Sequence, residues 1–116
     1  MIRLLAVLPL LAAAPVAAQK EFAPAPICRG AEDCDVKWGR AVSWILQRNP
    51  NVVQRTDDFL LTQPGLTYGH DKFQLNRIAL GGGAYRIAFQ FECASVLRCR
   101  PKKTVAEFAD YVNSGG

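Results

Sequence analysis

Gly81-Gly82-Gly83-Ala84-Tyr85-Arg86-Ile87-Ala88-Phe89-Gln90-Phe91-Glu92-Cys93 is the stretch on which the fold turns. Tyr85, Ile87, Phe89, Phe91 and Cys93 alternate with Arg86, Ala88, Gln90 and Glu92. A period of two puts the large apolar side chains on one face of a strand and leaves the other face wet, which predicts a half-buried antiparallel strand over 84–92. The triple glycine before it supplies the positive-φ positions of a tight hairpin. On the far side of that turn, 72–80 reads as another strand. There Phe73 and Leu75 begin an alternation that Arg77 interrupts, so a bulge is expected near Arg77.

Working toward the N-terminus, short apolar runs divided by Asp57-Asp58 and by Gln63-Pro64-Gly65 predict two further strands at about 52–57 and 59–63. The period then changes. Trp38, Ala41, Val42, Ile45 and Leu46 fall on one face of a helix, with Asp33 or Asp35 placed to cap its start and Asn49-Pro50 to end it. Lys37, Arg40, Gln47 and Arg48 take the solvated side. Trp44 lies roughly 120° from Trp38 at about 100° per residue, outside the apolar stripe. It is expected to pack against a loop or to stand exposed.

Toward the C-terminus, Thr104 and Glu107 have the spacing of a capping box. Val105, Phe108, Ala109 and Val112 give a short last helix its apolar face, and Gly115-Gly116 stop it. The order helix, four strands, helix predicts an α+β domain: helices on one face of an about four-stranded antiparallel sheet.

The first residues belong to a different logic. Arg3, an apolar run from Leu4 to Pro15, and small residues through Ala18 have the layout of a secretory signal peptide over 1–18, cleaved near Ala18. The run is shorter than the roughly 20 apolar residues of a membrane span. Removing it leaves 98 of the 116 residues and takes away only Arg3, so 13 basic side chains face 10 acidic ones. That length suits one domain over 28–116 and leaves no room for a second. The excess charge is mild and alone does not point to nucleic acid. Residues 19–27, rich in Ala and Pro, read as a flexible extended lead-in, with order beginning near Cys28.

All four cysteines, Cys28, Cys34, Cys93 and Cys99, lie in the exported part. An even count in an exported chain reads as disulfides with three possible connectivities. The local pairing Cys28–Cys34 and Cys93–Cys99 is preferred because each bridge closes a short loop at an element end. Such loops contribute about 2 kcal/mol each in the chain-entropy model. Zinc sites use closer pairs, typically two to four residues apart. No metal or cofactor is expected.

The stretch from Cys28 to Asp35, the helix bearing Trp38, Ala41 and Trp44, the turn Thr56-Asp57-Asp58, and the closing Cys93 and Cys99-Arg100-Pro101 resemble small uncharacterised exported proteins of proteobacteria. The resemblance spans roughly residues 28 to 101. It implies a periplasmic or secreted protein and carries no activity or catalytic residue with it.

Candidate chemistry is sparse. His70 is the single histidine, and as a general base it would need Asp71 to steer it. Adjacent loop residues do not usually orient one another as a triad does, and no serine or free thiol is placed beside it. The glycine run lacks the Lys-Ser/Thr of a phosphate loop and the spacing of a dinucleotide fingerprint. The acidic pairs at Glu32-Asp33, Asp57-Asp58 and Glu107/Asp110 sit where caps, turns and helix surfaces use acids anyway. Arg98, Arg100, Lys102 and Lys103 form the densest charge cluster. It reads as solvated loop charge, or as a contact for anionic headgroups, envelope polysaccharide or an acidic protein patch. The expectation is a non-catalytic periplasmic or envelope protein that binds another protein through a sheet face or through Trp44. The alternatives are a small hydrolase using His70, and an inhibitor or immunity protein against a secreted toxin.

Overall fold

Two helices lie on one face of a five-stranded antiparallel sheet in the computed structural model, which describes residues 23–63 and 70–115. The chain runs through β1 (Ile27–Arg29), α1 (Ala31–Arg48), β2 (Val52–Arg55), β3 (Phe59–Thr62), β4 (Lys72–Gly81), β5 (Ala84–Glu92), a 3-10 turn (Val96–Arg98) and α2 (Pro101–Ser114). The sheet order is β1-β5-β4-β3-β2. This is the expected α+β architecture with one strand more than expected. The proposed signal segment, 1–18, and residues 64–69 lie outside the described residues, as does the start of the lead-in.

The extra strand is β1. Three residues are too few to show a period, and proline precedes them, so they read as lead-in. Yet Ile27, Cys28 and Arg29 pair with Arg86, Tyr85 and Ala84. Pro26 is buried and its carbonyl accepts the Ile87 N–H at 2.9 Å. Order therefore begins before Cys28.

The β4–β5 hairpin is the spine of the sheet. Phe73 faces Phe91, Leu75 faces Phe89 and Arg77 faces Ile87. Gly81, Gly82 and Gly83 turn it with φ of 97°, 63° and 82°, values that L side chains rarely adopt. The register irregularity falls between Ala79 and Gly81, at the turn, and not at Arg77. Arg77 keeps its place in the helix-facing row because its guanidinium lies over the Tyr85 ring, 4.6 Å from the centroid, which offsets the loss of an aliphatic contact there. A second irregularity occurs in β2, between Val52 and Gln54.

Both helices begin earlier than their side-chain cap signatures indicate. Gly30 is the N-cap of α1, and no side chain caps it. Asp33 instead sits in the first turn and reaches back to accept the Arg29 N–H at 2.9 Å. In α2 the N-cap is Arg100, Pro101 opens the first turn, and Thr104 lies inside the helix, so Thr104 and Glu107 form no capping box. Proline at the first helical position loses no hydrogen bond and is already set near the helical φ, which outweighs the side-chain cap three residues on. Glu107 pairs with Lys103 one turn back at 3.9 Å.

Trp44 overturns the expectation of an exposed or loop-packed indole. It is 2% exposed and sits at the centre of the core. Its ring meets Phe73, Phe89 and Phe108 edge to face at 5.7, 5.5 and 5.4 Å, while Phe89 and Phe108 stack at 4.1 Å. The physical reason is that α1 packs on two neighbours. The Ala41–Ile45 stripe meets the sheet, and α2 brings Phe108 and Val112 against the adjoining side, so the buried arc is wider than one stripe. Aromatic pairs in this geometry add about 0.5–1.5 kcal/mol each beyond their buried area. The solvated row of α1 is also partly tied down. The Arg48 guanidinium covers Trp44 at 3.7 Å from its ring centroid, and Arg40 donates to the Val112 carbonyl of α2 at 3.1 Å.

Asn49, fully buried at the C-cap of α1, joins the helix to the sheet. Its Nδ2 donates to the carbonyls of Gln63 and Asp71, each at 2.9 Å, and lies 3.2 Å from the Thr62 hydroxyl. Its Oδ1 accepts the Asn51 N–H at 3.0 Å. Thr62, also buried, accepts the Phe73 N–H at 2.9 Å. The disulfides are local, Cys28–Cys34 tying β1 to α1 and Cys93–Cys99 tying the end of β5 to the approach of α2.

Candidate binding surfaces

The residues first considered for catalysis are occupied with structural work. The Nδ1 of His70 lies 2.8 Å from the carbonyl of Arg48 at the C-terminal end of α1. A carbonyl only accepts, so Nδ1 carries the proton and the ring closes one of the orphan carbonyls of that helix end. Asp71 does not steer the ring through that nitrogen; its Oδ1 accepts the Ala94 N–H at 2.9 Å and holds the loop after β5. Asp33 is held below its ordinary value of 3.8 first by the Arg29 N–H and then by Lys37, which lies 3.4 Å away. Burial lowers Arg48 from its ordinary value, and the charge of Glu107 opposes that shift. Among the described residues, no three His, Cys, Asp or Glu side chains gather as a metal site would require.

One shallow hollow of about 240 Å³ opens at the far end of the β4–β5 pair, lined by Lys72, Phe73, Gln74, Gln90, Phe91 and Glu92. Ligand pockets usually run from about 300 to 1,000 Å³ and enclose most of their ligand. This hollow is smaller and more open, and Lys72 and Glu92 face each other across it as a register pair.

Two surfaces remain. The first is the sheet face turned away from the helices. Strand alternation puts Ile27, Phe59, Leu61, Ile78 and Ala88 there, on the opposite side from Leu60, Leu75 and Ile87. Ile78 is 38% exposed, and Leu80, at the shoulder of the hairpin, is 46% exposed. No described helix covers this face.

The second surface is the disulfide-closed loop between β5 and α2. Leu97, in the 3-10 turn, is 97% exposed. Arg98, Arg100, Lys102 and Lys103 follow it within six residues and are all exposed. The basic cluster found in the sequence is thus a real surface feature, whereas Trp44 is withdrawn from any surface. Sequence reasoning missed Leu97 because a lone leucine in a short loop has no period to betray it. The apolar content of the outer sheet face did leave a trace, in the unbroken runs Phe59-Leu60-Leu61 and Ile78-Ala79-Leu80.

Among the described residues no helix is long and apolar enough to cross a membrane. The two disulfides fit an oxidising compartment. No protein-family model matches the chain, and no curated protein or solved structure matches it.

Proposed function

We propose that the protein is a non-catalytic module of the periplasm or cell envelope, exported with cleavage near Ala18, whose open sheet face binds another protein. The observation that carries this reading is the presence of Ile78 and Ile27 in water on a face that no described element covers, with Leu80 exposed beside them at the shoulder of the hairpin. Folding alone does not require large aliphatic side chains there, since an antiparallel sheet solvated on one side normally alternates apolar with polar residues. Apolar surface of this kind, with Arg86 between Ile27 and Ile78 and with Gln90, Lys72 and Glu92 toward the other end of the hairpin, is the composition of a contact patch. The commitment of His70 Nδ1 and Asp71 to backbone groups favours this reading over a hydrolase that pairs the two.

A photo-crosslinking residue at Ile78, set against the same residue at Asp110 on the exposed side of α2, tests the proposal in the native envelope. A discrete protein adduct from position 78 and none from 110, lost on adding Leu80→Asp, is the expected result. Equal labelling from both positions, or none from 78, refutes it.

A further inference from the structure

We infer that the Cys93–Cys99 loop docks the protein on an anionic phospholipid surface, with Leu97 entering the interface and Arg98, Arg100, Lys102 and Lys103 meeting the headgroup phosphates. The inference is independent of the sheet-face reading. Leu97 is almost wholly in water, the most exposed of the large apolar residues among those described. No packing within the domain accounts for it. It projects from a 3-10 turn inside a loop closed by a disulfide, so little conformational entropy remains to be lost when the tip is fixed against a partner.

The charges at its base are uncompensated. Arg98, Arg100 and Lys102 make no ion pair among the described residues, and Lys103 has only the long contact with Glu107. Toward β5, the Asp71 carboxylate is held by the Ala94 N–H, and Glu92 stands opposite Lys72 in the β4–β5 register. The placement also runs against helix stability. Arg100 is the N-cap of α2, Lys102 and Lys103 lie in its first turn, no acidic residue is there, and no side chain caps the end. A helix N-terminus carries partial positive charge and normally attracts acids. Here cations add to it, and no side chain caps the first-turn N–H groups. The sum is a concentration of positive charge within six residues of one exposed aliphatic side chain.

Each half of that pair excludes a different partner. A water-filled polyanion would neutralise the cations and leave Leu97 wet. A protein patch would need a pocket matched to a single leucine. A bilayer with anionic headgroups satisfies both at once, because the acyl boundary takes the side chain while the phosphates lie a few ångströms above it.

The test is sedimentation of the exported, processed chain with vesicles of phosphatidylcholine alone and with 30% phosphatidylglycerol, at about 0.1 M salt. Leu97→Ser and the quadruple variant Arg98→Ser, Arg100→Ser, Lys102→Ser, Lys103→Ser are compared with the parent. All five side chains are exposed, and unchanged emission from the core tryptophans Trp38 and Trp44 certifies each fold. The parent should bind the anionic vesicles and leave the neutral ones unbound. Leu97→Ser should weaken binding about tenfold. The quadruple variant should lose more than about a hundredfold, since each cation near such a surface is worth about fivefold. Equal binding to neutral vesicles, or no binding to anionic ones, overturns the inference. So does a Leu97→Ser variant that binds as the parent does while the quadruple variant fails, which would assign the cations to a soluble polyanion or an acidic protein.

Discussion

Replacing Asn49 with alanine removes the polar joint between α1 and the sheet. The side chain is fully buried, and its two Nδ2 hydrogens serve the Gln63 and Asp71 carbonyls with Thr62 close by, while Oδ1 takes the Asn51 N–H. Counting two donated bonds and one accepted bond at roughly 1 kcal/mol each gives a loss of about 3 kcal/mol. Part of the set can still reach water, since Asn51 and Gln63 are exposed residues, so the full penalty for stranded buried groups is not added. For a domain of this size the loss lowers Tm by roughly 10–25 °C. Urea denaturation followed by the emission of Trp38 and Trp44 measures it, with the midpoint moving and the slope unchanged. Asn49→Asp provides the control for shape. Ionised, the carboxylate accepts from Asn51 but faces two carbonyls it cannot donate to, so its folded-state pKa rises. That destabilisation grows as pH climbs from the unfolded value and recovers on acidification, when the protonated acid can donate again. A loss for Asn49→Ala below about 1 kcal/mol, or an Asn49→Asp variant insensitive to pH, would refute the joint.

Trp44→Ala, which empties the centre of the aromatic cluster, should cost about 3–5 kcal/mol in urea unfolding followed by far-UV circular dichroism, whereas Trp44→Phe should cost clearly less. The folded-state pKa of Asp33 lies below its ordinary 3.8, so its stabilising effect is complete above the unfolded value and is lost as pH falls through the depressed one. Asp33→Asn should therefore flatten stability measured from pH 5 to pH 2, and an unchanged acid limb would count against the Arg29 and Lys37 contacts. Cys28 and Cys34 are fully buried while Cys93 and Cys99 are partly exposed, so graded reductant followed by alkylation and mass spectrometry should label the Cys93–Cys99 pair first. Simultaneous labelling of all four would mean that reduction follows global unfolding.

Local pattern was enough for much of this molecule. The alternation from Tyr85 to Phe91 and the glycines before it defined the hairpin, the Trp38–Leu46 stripe defined α1, and short spacing defined both disulfides, because in each case the physics acts within about ten residues of chain. The positive cluster from Arg98 to Lys103 was legible for the same reason. Other features were decided between elements distant in sequence. Trp44 became core because Phe73 and Phe89 of the sheet and Phe108 of α2 close around it, and helical periodicity counts one buried face where this helix has two. Arg77 kept its register because Tyr85 lies where its guanidinium can rest. Three residues around Cys28 became a strand because β5 offers them an edge. Leu97 is conspicuous only in three dimensions, since exposure is a property of what fails to pack against a side chain, and no pattern along the chain records an absent neighbour.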